Sequence, residues 1–191
     1  MNGARMEAFT DGVIAVAITI MVLDMKVPAG TDLHALGESA PVFLAYVLSY
    51  INVAIFWNNH HHMLHATEHV DGKVLWANLF LLFWITLIPF DLRWIDETAI
   101  APLPTAVYGV VLAMAAAGYL WLERAIIAVN GPDSKLADAV GSDAKTMTSF
   151  ALYAAGIALG FVSPWIAAAL YVVNAAIWFI PDRRIESRLK A

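Results

Sequence analysis

The stretch from Leu75 to Phe90, LWANLFLLFWITLIPF, carries no charged side chain, and the chain contains six apolar runs of comparable length. A helix needs roughly 20 mostly apolar residues to cross a hydrocarbon core of about 30 Å. The runs fall at residues 5–25, 41–63, 74–93, 104–123, 146–163 and 165–181. Lipid offers no hydrogen bonds, so a spanning segment must satisfy its own backbone as a helix or within a closed barrel. Runs this long select the helix. The expected fold is an all-α membrane protein, a single domain over residues 1–191 with six transmembrane helices. Only 14% of the residues are charged, where a soluble domain carries about 25%. No small soluble core would hide six such runs.

The connections are short and polar. VPAGTDLHALGESAP turns the first hairpin, with Pro28, Gly30 and Pro41 breaking the helical pattern. His60 to Lys73 and DLRWIDETAIAPLP form the next two, and NGPDSKLADAVGSDAK is the longest loop. Ser163-Pro164 alone separates the last two spans, which predicts a tight antiparallel hairpin. With the N-terminus in the cytoplasm, Arg5, Lys73, Arg124, Lys135, Lys145, Arg183, Arg184, Arg188 and Lys190 lie inside, and only Lys26 and Arg93 outside. Nine against two is a strong positive-inside bias and places both termini in the cytoplasm. The net charge of −5 and the lack of a basic block point away from nucleic acid, and no protein partner other than the chain itself is evident. The chain has no cysteine, which excludes disulfides and thiolate metal sites.

Asp11 is the residue that fits this picture least. The uncharged stretch Gly12–Leu23 is twelve residues, about 18 Å of helix at 1.5 Å per residue. That falls short of the hydrocarbon thickness, so the flanks with Asp11 and Asp24 must enter the membrane zone. A carboxylate there is expected to face the bundle interior or water and to be paired. Arg5 is six residues away, the wrong spacing for one helix face. Asp11 therefore calls for a partner on another helix. On the same span, Gly12, Val16, Thr19 and Leu23 fall on one stripe with Ile20 at its edge. Most such stripes are ordinary packing surfaces. An apolar ring can also gate a pore by dewetting, and a ring of hydroxyls can offer oxygens to a dehydrating cation. Spacing leaves these alternatives open.

Three motifs carry a resemblance. RMEAFTDG from Arg5 to Gly12, FWNNHHHMLH from Phe56 to His65, and LWANLFLLFWITLIPF occur in that order. Together they resemble the first three helices of the transmembrane protein 175 family of potassium channels, which have no selectivity-filter loop. The likeness covers about the first half of the chain; the later spans agree in number and length. It implies a homotetrameric, potassium-preferring channel in a prokaryotic cell membrane, with potassium as permeant ion and no cofactor. It further implies that the first span lines the pore, with Val16, Ile20 and Leu23 as apolar constriction and Thr19 in ion selectivity. Arg5, Phe9, Thr10 and Asp11 would join His60, Trp76 and Asn78 in a polar network behind the pore. The motif serine is Thr10 here, which keeps the hydroxyl, and Val16 is shorter than the isoleucine or leucine common at the constriction.

Five of the six histidines lie between His60 and His69. His61 with His65, and His62 with His65 and His69, have helical spacing suited to zinc. No Asp or Glu on that helix completes a ligand set, so no metal site is expected. Nothing resembles a nucleophile or hydrolase motif, so an enzyme is not expected either. A secondary transporter or proton-linked carrier is the alternative to a channel. Such carriers usually show inverted repeats and interrupted helices, and the two three-helix halves of this chain are unlike each other.

Overall fold

The computed structural model describes residues 3–139 and 144–179, and all regular structure among them is helical. The helices are α1 (Gly3–Leu23), α2 (Leu33–Glu38), α3 (Ala40–His65), α4 (Gly72–Glu97), α5 (Pro102–Asn130), α6 (Lys135–Ala139), α7 (Ala144–Gly160) and α8 (Pro164–Phe179). Four of them, α1, α3, α4 and α5, are long and apolar enough to cross a membrane, and α8 is a shorter apolar helix. The chain is a multi-pass membrane protein. Arg183, Arg184, Arg188 and Lys190, and the end of the expected last span, lie outside the described residues.

Helix ends depart from the hydropathy pattern where charge and helix propensity disagree. α5 was expected to stop at residue 123, but it continues through Glu123 and Arg124 to Asn130. Charges end an apolar window without ending a helix, and AIIAV that follows restores the pattern. α5 closes at Gly131, whose φ of 94° suits a residue without a Cβ. Similarly, DLRWIDE belongs to α4 and not to a connection. Arg93 Nε donates to Glu97 Oε1 at 3.1 Å, an i,i+4 pair that supports the last turn. The turn proper is Thr98–Ala101. Asp71 caps α4, its carboxylate accepting from Val74 N at 2.9 Å. Asn130 ties the α3–α4 connection to the end of α5: its Oδ1 accepts from Glu68 N at 3.1 Å and His69 N at 2.8 Å, and its Nδ2 donates to His69 O at 3.0 Å. The short helices α2 and α6 lie within loops that the sequence left unstructured.

α4 is the hub, with α1, α3 and α5 packed around it. Its buried residues include Val74, Ala77, Leu81, Ile85, Ile88 and Leu92. At Gly118 of α5 an added Cβ would come 2.9 Å from the Cα of Leu81, so glycine sets how closely these two helices approach. In the second half, Gly109 and Gly156 flank the ring of the buried Tyr171, whose hydroxyl donates to Thr105 O at 3.2 Å. Pairings fix the directions. Asn78 meets Thr10 and Arg93 meets Asp24, so α1 and α4 run parallel, while Asp11 meets Trp57 with α3 antiparallel to both. α5 opposes α4 and α8 follows α5, as Phe80–Trp121 and Tyr119–Trp178 show with Tyr108–Tyr171.

Candidate functional site

α1 has two unlike faces. Met6, Thr10, Ile14, Ala17 and Met21 recur every three or four residues and are buried. They turn toward α3 and α4. At the centre of this face Thr10 is fully buried, as are His60 and Asn78. Asn78 Nδ2 donates to Thr10 Oγ1 at 3.0 Å, and Asn78 Oδ1 lies 2.8 Å from His60 Nε2. A carbonyl oxygen only accepts, so His60 bonds it with the proton on Nε2. One asparagine on α4 thus joins α1 to α3 through groups that would otherwise be stranded in an apolar interior.

A second set of contacts runs along the edge of the α1–α3 interface. Trp57 Nε1 donates to Asp11 Oδ1 at 2.8 Å, and four residues along each helix His61 Nδ1 meets Glu7 Oε1 at 3.2 Å. Because the helices are antiparallel, moving four residues back on α1 matches moving four forward on α3, and the two contacts form successive rungs. Asp11 has its inter-helix partner. At the far end of α1, Asp24 lies 3.9 Å from Arg93, and Lys26 lies 3.7 Å from Asp96. The two cations on the sparsely basic side are thus both in ion pairs.

The opposite face of α1 is uncovered. Val16 is 56%, Ile20 41% and Leu23 80% exposed, and Gly12 and Thr19 share this side. Thr19 Oγ1 donates to Val16 O at 2.9 Å, which satisfies its proton within the helix and leaves the exposed oxygen its acceptor capacity. The stripe forms one wall of an open, largely apolar groove against α4: Gly12, Val16 and Ile20 line it with Thr86, Pro89, Phe90 and Arg93.

The family model for TMEM175, described as an endosomal/lysosomal potassium channel, matches residues 5–89. That segment holds α1, α3 and most of α4, the elements that build the polar cluster. A potassium channel from Chryseobacterium is 48% identical over 190 residues, covering 100% of this chain and 99% of the relative. The chain belongs to the TMEM175 family. A potassium channel from Chamaesiphon minutus is 31% identical over 189 residues, 92% of each chain. The crystal structure of a homologue, from that organism, of the lysosomal potassium-selective channel TMEM175 superposes with a TM-score of 0.75 at 27% identity, covering 94% of this chain and 97% of the other. The likeness therefore extends through α5, α7 and α8, beyond the matched motifs.

TMEM175 membership makes the protein an ion channel with potassium preference and not an enzyme, in a family that requires no cofactor. Within one chain the motif residues do not all converge. Thr10, His60 and Asn78 are brought together, and Asp11 stands apart with Trp57. Arg5, Phe9 and Trp76 lie outside this cluster: Arg5 is exposed, Phe9 is 54% exposed and Trp76 is 69% exposed. The reason is rotational. Arg5 and Phe9 sit one residue before the buried Met6 and Thr10, about 100° around the helix, and Trp76 is likewise displaced from Ala77 and Asn78. Sequence reasoning missed Trp57 and Glu7. The signal for Trp57 was its place four residues before His61, which puts both on one side of α3.

Proposed function

We propose that this chain is a potassium-permeable, potassium-preferring channel in which four copies surround a pore lined by α1. Val16, Ile20 and Leu23 form its apolar constriction, and Thr19 contributes hydroxyl oxygens to selectivity. The observation that carries this reading is the division of α1 into a buried face and an uncovered one. Glycine and threonine add little apolar area toward lipid, whereas both suit a narrow water-filled path. An oxygen whose proton is already bonded to Val16 O is a ready acceptor for a cation losing its hydration shell. Apolar side chains on either side of Thr19 would exclude water when the pore narrows. Thr86 and Phe90 of α4, across the groove from the stripe, supply an exposed surface on which a neighbouring copy packs.

The chain acts as one six-span domain with both termini in the cytoplasm of a prokaryote and sits in the cell membrane. Alternating helix directions and the positive-inside bias support that topology. Thr10, Asp11, His60 and Asn78 hold α1 against α3 and α4 and do not touch the ion.

Purified protein in liposomes under a potassium gradient alone tests the reading. A channel needs no coupled ion or substrate and drives the membrane to the potassium equilibrium potential. Flux that appears only with a coupled proton gradient makes the protein a carrier. A mass other than four chains in detergent removes the tetrameric pore.

A further inference from the structure

At the end of α1 where the chain begins, the fold assembles a group that neither helix contains alone. His61 and His65 stand at i and i+4 on α3, with ring centroids 4.2 Å apart. Glu7 of α1 reaches between them: its Oε1 lies 3.2 Å from His61 Nδ1 and 3.8 Å from His65 Nδ1. The three ligand atoms all lie within 4.8 Å of one another. We propose that Glu7, His61 and His65 form a binding site for a zinc-class divalent cation, and that the bound ion staples α1 to α3.

Geometry and donor chemistry both favour this. Zinc takes imidazole nitrogen and carboxylate oxygen at about 2.0–2.2 Å, so two of its ligands stand at most about 4.4 Å apart. The three atoms are already at or near that separation, and the side chains keep rotamer freedom because all are partly exposed. Two histidines at i and i+4 on one helix face are a recurrent zinc-binding pair. The carboxylate adds the charge that an imidazole pair lacks. Three protein ligands leave the fourth position to water, which the exposure of His65 admits. Imidazole with one carboxylate prefers zinc, copper or nickel over magnesium or calcium, which take all-oxygen shells.

The placement gives the site a mechanical consequence. Glu7–His61 is the outer rung of the ladder whose inner rung is Asp11–Trp57. His61 also stacks on Trp57, with ring centroids 6.2 Å apart and planes at 27°. An ion there would replace a hydrogen bond across a half-exposed edge by coordination bonds, and would fix the start of α1 relative to α3. This holds whether or not α1 lines a pore, because binding and helix tethering are read without ion flux.

The test uses the whole purified protein in detergent. Zinc alone is titrated against a chromophoric chelator, and thermal unfolding is followed with and without zinc. The wild type is expected to bind one zinc ion per chain and to melt at a higher temperature with zinc; magnesium and calcium should do neither. Glu7→Gln, and separately the His61→Gln/His65→Gln pair, should weaken binding at least about tenfold, a size typical of disturbing a metal site, and abolish the zinc-induced rise. His62→Gln/His69→Gln should keep both, since neither residue belongs to the cluster. His34→Gln should also keep both, although His34 forms an exposed pair with Glu38 at 3.8 Å. Variants are compared only where their unliganded melting and elution match the wild type; Glu7→Gln, which keeps shape and an acceptor oxygen, provides that case. Binding that survives in the His61→Gln/His65→Gln pair, or binding without a rise in melting temperature, overturns the proposal.

Discussion

The two long faces of α1 are built from the same kinds of residue and meet different fates. Ile14 and Val16 lie two residues apart; the first is 3% exposed and the second 56%. Thr10 and Thr19 carry the same hydroxyl, yet Thr10 is bonded across helices to Asn78 while Thr19 is bonded to its own backbone. Burial on one side secures the helix, and openness on the other leaves a surface for an ion or a neighbour. In lipid an apolar side chain gains little from being covered, so hydrophobicity alone does not say which face turns inward. Polar pairing does. The face with partners on α3 and α4 is the structural one, and the comparison predicts that substitutions there cost stability while those opposite change conduction.

The largest expected effect on stability is at Asn78. Asn78→Ala would strand the His60 Nε2 proton and the Thr10 hydroxyl in the buried interior. An unsatisfied buried polar group costs about 1–3 kcal/mol, so the pair together should lower stability by about 2–6 kcal/mol. For a chain of this size that is a fall in melting temperature of roughly 5–25 °C, measurable in detergent. An unchanged melt would mean that the buried face does not hold α1.

Asp11 comes next, with a smaller effect than its charge suggests. A buried ion pair broken on one side costs about 3–5 kcal/mol, but Asp11 is exposed and bonds a neutral indole. Asp11→Ala should cost about 1 kcal/mol, the size of an ordinary hydrogen bond, and Asp11→Asn less, since its amide oxygen still accepts from Trp57. Trp57→Phe should cost about as much as Asp11→Ala, and combining the two should add little. Additive losses would show that the carboxylate acts through some other partner.

How far these features were legible in the sequence depends on how local their cause is. Apolar runs are local, so the helical class and four of the six expected spans could be read directly. The ends could not where charges lie inside a helix, as at Glu123 and Arg124. The need of Asp11 for a partner on another helix followed from its charge, but its identity as Trp57 did not. That pairing depends on the register between α1 and α3, which no spacing within either helix records. Glu7 escaped notice for the same reason: the histidines lacked a carboxylate on their own helix, and the fold brings one from another. Resemblance supplied Thr10, His60 and Asn78 as a set, but placed Arg5, Phe9 and Trp76 with them, which one chain's geometry does not.

On the open face the order of effects reverses. Val16→Asn should leave melting within about 0.5 kcal/mol of the wild type, as surface changes usually do, while basal potassium flux in liposomes rises several-fold. An apolar ring excludes water from a narrow path, and an amide at that ring would wet it. Leu23→Asn should act in the same direction. If Val16 instead faces lipid, the amide would lower expression and leave flux per protein unchanged. That result would take α1 out of the conduction path.

The smallest expected change is at Thr19, and it divides the two hydroxyls of α1 most sharply. Thr19→Val keeps the shape and branching and deletes one oxygen. Its bond to Val16 O is internal to the helix, and its loss strands no buried group, because the helix carbonyl already accepts from a backbone amide. Stability and oligomeric mass should stay as in the wild type. If the oxygen substitutes for water around potassium, the preference over sodium should fall, seen as a shift of reversal potential under bi-ionic conditions toward zero. Thr10→Val is the matched control: it deletes the same atom from the other face, where Asn78 Nδ2 would lose its acceptor. That variant should melt lower and keep its ion preference. Should Thr19→Val leave the reversal potential unmoved, selectivity lies in backbone carbonyls or pore width, and the two threonines differ only in what they bury.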